Sequence, residues 1–352
     1  MLWETEEGSA NSQTMSFTTE EDGLEKKLLS YDILGNLAHI KMLEEHGYMT
    51  EEELEEVERE LKDLYKHNEG IDAEDVHTFV EEKVTEKTEA GKKIHIGRSR
   101  NDQVFLDTRL LMKDSGIEIG LKAVELIKVI EEFAESKNKM MPGYTHQQQA
   151  MPSSSGLWAS SFVDALVDDV KLLKNSYHVF DQNPLGAAAS YGTSLDIDRE
   201  KTAELLGFNS VQQNPIYCSN RGKHELMMVQ ALNHIMLDLQ KMAEDIINFS
   251  EDQQIFKIPK DFCTGSSIMP QKDNPDTLEM VRAKAEEVNA SQQTIRGIIS
   301  KLPSGYNKDT QQTKKYLIQS IETVTDTLEI MNSLIHGLEV TDDYEVKDEV
   351  YA

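Results

Sequence analysis

The sequence lacks several features that would assign it to particular classes of protein. It has two cysteines, Cys218 and Cys263, which are too few for a disulfide framework or a multi-cysteine zinc site. No stretch approaches the roughly 20 consecutive apolar residues of a membrane span. The opening residues, MLWETEEGS, lack the basic start and apolar run of a signal peptide. These absences predict a cytoplasmic protein with no membrane partner.

Basic residues are also scarce. The 352 residues include 64 Asp and Glu against 36 Lys and Arg, which gives a formal net charge of −28. The first 90 residues hold 26 acidic and 8 basic side chains and carry most of this excess. Because phosphate backbones are bound by basic surfaces, we expect no nucleic-acid partner. The densest acidic run, residues 51–60, is typical of a solvated helix face.

Proline and glycine are infrequent, with 8 and 19 copies in the whole chain. The long segments between them carry apolar residues every three or four positions, which is the helical period. The clearest such stripe runs over three heptads from Leu317 to Leu338, and a shorter one runs from Leu121 to Phe133. Residues 225–249 are apolar on more than one side, which predicts a helix in the middle of a bundle or between subunits. With no strand-like alternation of useful length, the predicted fold is all-α.

We expect three parts along the chain. Residues 1–102 form an acidic helical N-terminal domain, and residues 103–338 form a central bundle of long helices. Residues 339–352 form an acidic tail, the start of a missing or shortened C-terminal domain. Polar loops marked by glycine and proline interrupt the bundle at 141–156, 181–198, 258–275 and 302–312.

The segment 95–103, HIGRSRNDQ, contains two of the eight arginines of the chain. A guanidinium fork matches a carboxylate, and the neighbouring Ser99 and Asn101 add neutral donors. The alternative is a helix N-terminus capped by Ser99 or Asn101, with Asp102 facing the helix dipole. Both interpretations hold at once if the helix N-terminus also binds an anion.

The segment 141–146, MPGYTH, places His146 after a Pro-Gly pair and beside the hydroxyl groups of Tyr144 and Thr145. An imidazole titrates near neutral pH, so His146 is a candidate general acid or base. A single histidine in a helical protein is more often structural, and this segment alone is weak evidence for chemistry.

The segment 264–275, TGSSIMPQKDNP, has the strongest chemical character. A serine acts as a base only when amides and a cation stabilise its alkoxide. Glycine at 265 lets backbone N–H groups turn toward one point, Ser266 and Ser267 offer hydroxyls, and Lys272 adds a positive charge. The alternative is an ordinary loop between helices.

The segment 302–311, LPSGYNKDTQ, adds a phenol at Tyr306 and a cation at Lys308. The sequence contains no HExxH, Walker A, GxSxG or dinucleotide-binding pattern, so we expect neither a metal nor a cofactor. Four loops rich in cations and hydroxyls on a helical scaffold favour a small polyanionic substrate. Proton abstraction beside a carboxylate fits these groups.

These motifs also carry a resemblance. GSSIMPQKDNP is similar to the signature loop of the fumarase/aspartase superfamily, and HIGRSRNDQV, MPGYTH and YNKDTQQ resemble its argininosuccinate lyase branch in the same order. The resemblance implies a fumarase/aspartase-like bundle of long helices with a small helical N-terminal domain. It also implies cofactor-free β-elimination of argininosuccinate to arginine and fumarate. The expected assembly is a homotetramer whose active sites are shared between subunits.

The resemblance further implies a role for each matching residue. Ser266 would be the base, Lys272 would steady the carbanion, and His146 would serve the leaving group. The implied catalytic residues are Ser266, His146, Lys272, Thr145 and Glu279, the last of which would tune the histidine. The implied substrate-binding residues are Ser99, Arg100, Asn101, Asp75, Asn274, Tyr306, Lys308 and Gln311.

Some positions depart from the family pattern and keep alternatives open. Gln149 stands where arginine is usual, residues 219–223 read SNRGK and lose two acids, and residues 17–20 are altered. The alternatives are another lyase of the superfamily, acting on adenylosuccinate or aspartate, and a catalytically impaired paralogue with a structural role. The four motifs favour the argininosuccinate lyase interpretation.

Overall fold

A computed structural model of the chain describes residues 23–67, 75–251, 253–265, 267–269, 271–342 and 344. Helices account for most of them, which confirms the predicted all-α class. The α-helices are α1 Leu29–Glu45, α2 Glu51–His67, α3 Val76–Thr85, α4 Arg100–Ser136, α5 Ser155–Phe180, α6 Arg199–Leu205, α7 Pro215–Ser219, α8 Lys223–Glu251, α9 Asp276–Ile299 and α10 Thr313–Gly337. Short 3-10 helices cover Leu24–Lys27, Glu89–Lys93, Lys260–Phe262 and Lys308–Gln312.

The strands are short and pair two by two. They are β1 Met140–Thr145, β2 Gln148–Ser154, β3 Gln182–Asn183, β4 Ser210–Val211, β5 Phe256–Lys257, β6 Thr264–Gly265, β7 Asp273–Asn274 and β8 Glu339–Val340. The pairs β1–β2, β5–β8 and β6–β7 are antiparallel, and β3–β4 is parallel.

The chain divides into two compact units. Unit 1 consists of Met1–Leu111, Asp181–Arg221 and Pro303–Asn307. Unit 2 consists of Met112–Phe180, Gly222–Leu302 and Lys308–Ala352. The linear domain boundaries expected at residues 102 and 338 stay predictions.

In unit 1, the acidic helix α2 shows how local chemistry sets an element. The Thr50 N–H donates to the Glu53 carboxylate at 2.8 Å, and the Glu53 N–H donates to the Thr50 hydroxyl at 3.2 Å, which forms a capping box. Val57 and Leu61 are fully buried, while most acidic side chains of α2 are exposed. The acidic run is therefore a solvated helix face, as predicted. An apolar cluster of the unit joins Leu106, Leu110, Leu185, Ala203, Phe208 and Val211.

Unit 2 is built around α8, whose apolar side chains from Met228 to Ile246 are buried on several sides. Two of its neighbours, α5 and α9, run antiparallel to it. Trp158 near the start of α5 donates to Asp245 near the end of α8, at 3.0 Å. Asn233 on α8 donates to Gln292 near the end of α9, at 2.9 Å. The central helix predicted at 225–249 is confirmed.

The stripe from Leu317 to Leu338 is also confirmed, since every member of the predicted series is buried along α10 and its C-terminal cap. The shorter stripe is wrong at its first position. Leu121 is exposed on α4, and Ile119, Ala123 and Leu126 are buried instead. The helical period was predicted correctly, but this segment has apolar residues at more positions than the buried face includes.

Antiparallel packing gives unit 2 two distinct ends. At the first, which we call the hairpin end, the β1–β2 hairpin meets the end of α8, because the Tyr144 hydroxyl donates to Gln253 at 2.7 Å. The pairing of Phe256 with Val340 brings the end of α10 there as well. At the second, which we call the turn end, Gly222 lies against Ile299 and Thr313, which end α9 and begin α10.

The β1–β2 hairpin occupies a segment predicted to be a loop, and the expectation of no useful strand was wrong there. Pro142 and Pro152 argued against a strand because proline cannot donate to a ladder. In the hairpin, these two prolines face each other across the pair. Among the described residues, no helix is long and apolar enough to span a bilayer.

Candidate active site

In unit 1, Ser99 and Asp102 fix the start of α4. The Ser99 N–H donates to Oδ1 of Asp102 at 2.8 Å, and the Ser99 hydroxyl accepts the Asn101 N–H at 3.3 Å. The capping alternative considered for this segment is therefore correct. The helix start also offers N–H groups and a favourable dipole to an anion, beside Arg100 and Asn101. Binding of an anion at this helix start stays a prediction.

Asp102 anchors this helix start to a neighbouring loop. Its Oδ2 accepts the N–H groups of Gly186 and Ala188, both at 2.9 Å. Burial raises the pKa of Asp102, whereas these N–H groups and the one from Ser99 favour its ionised form. Asp102 is fully buried, and its hydrogen bonds hold the start of α4 against the loop that contains Gly186 and Ala188.

Asp75 and Arg100, both predicted to face substrate, are in contact. Nη1 of Arg100 donates to Oδ2 of Asp75 at 3.0 Å. Oδ1 of Asp75 caps α3 by accepting the N–H and the hydroxyl of Thr78, each at 2.7 Å. Burial acts to raise the pKa of Asp75, but His77, the Thr78 hydrogen bonds and Arg100 together lower it. Asp75 is therefore a carboxylate that aims the guanidinium.

Tyr306 is held by contacts that the sequence did not predict. Its N–H donates to the buried Ser190 hydroxyl at 2.9 Å, and the N–H of Gly305 donates to the Asn220 side-chain oxygen at 2.8 Å. Ser190 has φ +84°, which is unusual for a residue with a side chain. Asn220 lies in the segment that departs from the family pattern, and its amide oxygen still serves as an acceptor.

In unit 2, His146 stands at the tip of the β1–β2 hairpin. Thr145 pairs with Gln148, so His146 and Gln147 form a two-residue turn with φ +52° and +61°. Positive φ at both central positions is typical of a type I′ turn, which favours Asn-Gly. Each residue here costs about 1 kcal/mol in that conformation. Such strain at an exposed imidazole supports a functional role.

We expect His146→Asn to separate chemistry from stability. Asparagine tolerates the left-handed conformation well, so the melting temperature should be unchanged or slightly higher. The imidazole is lost, and turnover should fall by about 10²- to 10⁴-fold if it transfers a proton. Turnover and thermal unfolding of the same preparation provide the measurement.

Gln147→Asn is the matched control, because it relieves the adjacent backbone and keeps His146. It should retain turnover within about twofold and gain a few tenths of a kcal/mol of hairpin stability. Equal losses of turnover in both variants would mean that the turn geometry, not the imidazole, matters.

The signature segment of unit 2 forms a small antiparallel pair at the hairpin end. Thr264 pairs with Asn274 and Gly265 with Asp273, and the Asn274 amide donates to the Thr264 carbonyl at 3.1 Å. Lys272 is exposed, and its N–H donates to the Met269 carbonyl at 3.0 Å. Ser266 and the altered segment 17–20 lie outside the described residues.

The candidate residues of unit 2 fall at its two ends. Those at the hairpin end are Thr145, His146, Lys272, Asn274 and Glu279. Lys308 and Gln311 lie in the 3-10 helix that precedes α10 and contacts α9 and α10, at the turn end. The helix α9 separates them, and its 24 residues rise about 36 Å. Among the described contacts, no hydrogen bond or ion pair joins Glu279 to His146.

Sequence reasoning also missed a buried charge cluster in unit 1. Asp32, His77 and Asp107 are each at most 5% exposed, and their polar atoms lie within 4.8 Å of one another. Among the described residues they come closest to a ligand set for a cation. The neighbouring Arg98 guanidinium fits an ion-pair cluster better than a metal centre.

A model of a protein family described as "Lyase" matches residues 6–289 of this chain. The chain therefore belongs to this lyase family. A curated relative named argininosuccinate lyase, from Thermotoga neapolitana, is 41% identical over 350 residues, covering 96% of this chain and 88% of that protein. Another of the same name, from Bacteroides thetaiotaomicron, is 40% identical over 354 residues, covering 97% and 79%.

Solved structures agree on the fold. An EDDS lyase in complex with formate has a TM-score of 0.83 at 23% identity, covering 95% of this chain and 68% of that one. A class II fumarase from Schistosoma mansoni has a TM-score of 0.82 at 17% identity, covering 90% and 77%. Both likenesses concern the fold alone, and they confirm the fumarase-like helical bundle expected from the motifs.

Proposed function

We propose that this chain is a lyase that eliminates fumarate from argininosuccinate and releases arginine, without a cofactor. The observation that carries this proposal is the 41% identity, over 96% of the chain, to a relative that bears the name of that activity. The four motifs in family order, which lie within the matched region, also support it. No observation favours the adenylosuccinate or aspartate alternatives over this substrate.

In the proposed reaction, Ser266 takes a proton from the carbon beside a succinyl carboxylate. The electron pair of that C–H bond forms the double bond of fumarate. The C–N bond breaks, and its electron pair stays on the arginine nitrogen, which takes up a proton. His146, aided by Thr145 and tuned by Glu279, serves this protonation. The barrier falls mainly through stabilisation of the dianionic intermediate, which is the role proposed for Lys272 and Asn274.

Substrate binding is proposed to use both carboxylate-matching and arginine-matching groups. Arg100, aimed by Asp75, and Asn101 hold a fumarate-side carboxylate at the start of α4, beside Ser99. Tyr306, Lys308 and Gln311 meet the arginine half of the substrate. The exposure of Lys272 and Lys308 leaves both ammonium groups accessible to a polyanionic ligand.

We propose a homotetramer with active sites shared between subunits. Lys272 and Lys308 lie at opposite ends of unit 2, too far apart for one substrate to contact both within one chain. Antiparallel association of two bundles would place the hairpin end of one chain beside the turn end of another. Exposed apolar residues along these helices, such as Leu121, Leu172, Leu237 and Ile330, support such packing. A cytoplasmic location stays a prediction.

The test is to mix the purified chain with argininosuccinate and follow fumarate by its ultraviolet absorbance, with arginine measured in parallel. We expect both products to appear in equal amounts. Adenylosuccinate and aspartate are assayed at the same concentration. Turnover of either in place of argininosuccinate would overturn the substrate assignment, and no turnover of any of the three would favour a catalytically impaired paralogue.

A further inference from the structure

His77 occupies an unusual position in unit 1. It lies in the first turn of α3, two residues after Asp75, and is only 5% exposed. Its Nδ1 is 2.7 Å from Oδ1 of Asp32 on α1 and 3.6 Å from Oδ2 of Asp107 on α4. One ring nitrogen therefore faces carboxylates from two other helices. Because carboxylates accept hydrogen bonds, this nitrogen carries a proton.

The surrounding charges indicate that the ring is an imidazolium. Asn36 donates to Oδ2 of Asp32 at 2.8 Å, and its side-chain oxygen accepts from Arg98, which is also buried. Asp32, Asp107 and Asp102 are three buried carboxylates near the single buried guanidinium of Arg98, so a neutral His77 would leave a larger excess of negative charge. An unbalanced buried charge is costly, so the cluster favours protonation of His77.

The carboxylates that surround His77 raise its pKa, which supports the protonated state. Burial acts to lower the pKa of His77, but the charge and hydrogen bond of Asp32, followed by the charges of Asp107 and Asp75, raise it to about 9. His95, in the segment before α4, behaves oppositely. Burial, Arg98, Arg100 and His77 lower its pKa to about 4, so it is neutral at pH 7.

The cluster is linked to the candidate active site through Asp75. His77 joins the first turn of α3 to α1 and α4, and Asp75 is the cap of that same turn. The other oxygen of Asp75 accepts from Arg100 at 3.0 Å. A shift of the first turn of α3 would therefore move the Asp75 carboxylate and the direction of the Arg100 guanidinium.

We propose that His77 is a positioning residue, which as a buried imidazolium between Asp32 and Asp107 fixes Asp75 and thereby aims Arg100 at a substrate carboxylate. The last part of this inference depends on the proposed function. The effect of His77 on the position of the Asp75–Arg100 pair does not depend on the proposed function, and it can be measured without turnover.

The main variant is His77→Gln, and the matched control is His67→Gln. His67 forms the same kind of pair, 3.2 Å from Asp63, but on the exposed surface of α2. His77→Gln should raise KM for argininosuccinate by about tenfold or more, with a smaller effect on kcat, because a misplaced binding group weakens substrate binding. The double variant Asp32→Asn/His77→Gln restores the net charge of the wild-type cluster and should recover part of the loss. His67→Gln should change neither constant more than about twofold.

The pH dependence distinguishes positioning from simple support of the fold. Since the protonated ring is the competent form, KM of the wild type should stay constant below about pH 8 and rise as pH passes about 9. His77→Gln should lack this rise. In the wild type, the pKa of folded His77 lies above its ordinary value of 6.5. The stability that His77 provides is therefore complete below pH 6.5 and is lost between pH 6.5 and about 9. A stability loss in His77→Gln with unchanged KM would overturn the proposal.

A crystal structure of His77→Gln tests the inference even if the wild type does not turn over argininosuccinate. An unchanged Asp75–Arg100 pair in that structure would overturn the positioning role, whatever the substrate is. Calorimetric titration with Zn²⁺ and Mg²⁺ covers the remaining alternative. Tight binding of either ion by the wild type that is lost in His77→Gln would make the cluster a cation site and contradict the imidazolium.

Discussion

Replacing Ser266 with alanine is expected to abolish nearly all fumarate release, by about 10³-fold or more, while helix content and oligomer mass stay unchanged. A serine hydroxyl removes a proton only as an alkoxide, and alanine has no hydroxyl to ionise. General-base catalysis alone contributes about 10²- to 10⁴-fold. The measurement is initial velocity at saturating argininosuccinate, with circular dichroism and light scattering of the same sample.

Ser267→Ala is the control for this experiment, because Ser267 is the adjacent serine and is exposed. It removes the same atom from the same segment and should retain turnover within about tenfold of the wild type. Equal losses in the two variants would indicate that the segment 264–275 is sensitive to any change. A fully active Ser266→Ala would remove Ser266 from the mechanism and leave His146 as the candidate base.

The helices were predictable from the sequence because their signal is local. The stripe from Leu317 to Leu338 repeats every three or four residues, and any packing partner would bury it. The breadth of apolar character on α8 likewise identified it as the central helix. Neither inference required knowledge of which helix lies next to which.

The candidate site was only partly predictable. Its motifs each lie within a dozen residues, so Arg100, His146 and Lys272 could be singled out from the sequence. The cluster of Asp32, His77 and Asp107 has no such local pattern, since His77 and Asp32 are 45 residues apart. Each of the three resembles an ordinary surface residue until helix packing buries it. The charge interactions of this cluster come from burial and helix packing, and no spacing in the sequence reveals them.

The turn that carries His146 was hidden for a different reason. Short hairpins are recognised by turn residues such as Asn-Gly, and His146-Gln147 is not such a pair. Local preference and observed conformation therefore disagree at this turn. The separation of Lys272 from Lys308 was equally hidden, because it depends on how α8, α9 and α10 pack, with α9 antiparallel to the other two.

Leu328→Asp is expected to have the largest effect on folding. Leu328 is fully buried on α10, in the middle of the confirmed stripe. An aspartate there would either bury an unpaired charge or pull the helix away from α8 and α9, and we expect a loss of more than about 4 kcal/mol in the free energy of unfolding. Unit 2 should lose its cooperative unfolding transition, as measured by thermal denaturation and circular dichroism.

Ile330→Asp is the matched control, since it makes a similar chemical change two residues away on the same helix at a side chain that is 37% exposed. Helix content should be retained, because the charge remains solvated. Light scattering then adds a second distinction. If bundles associate through their exposed apolar residues, Ile330→Asp should weaken the tetramer without unfolding the chain, whereas Leu328→Asp should disrupt both. Unchanged helix content and unchanged oligomer mass with Leu328→Asp would mean that the stripe is not a packing surface, and would contradict the packing of α10 against α8 and α9.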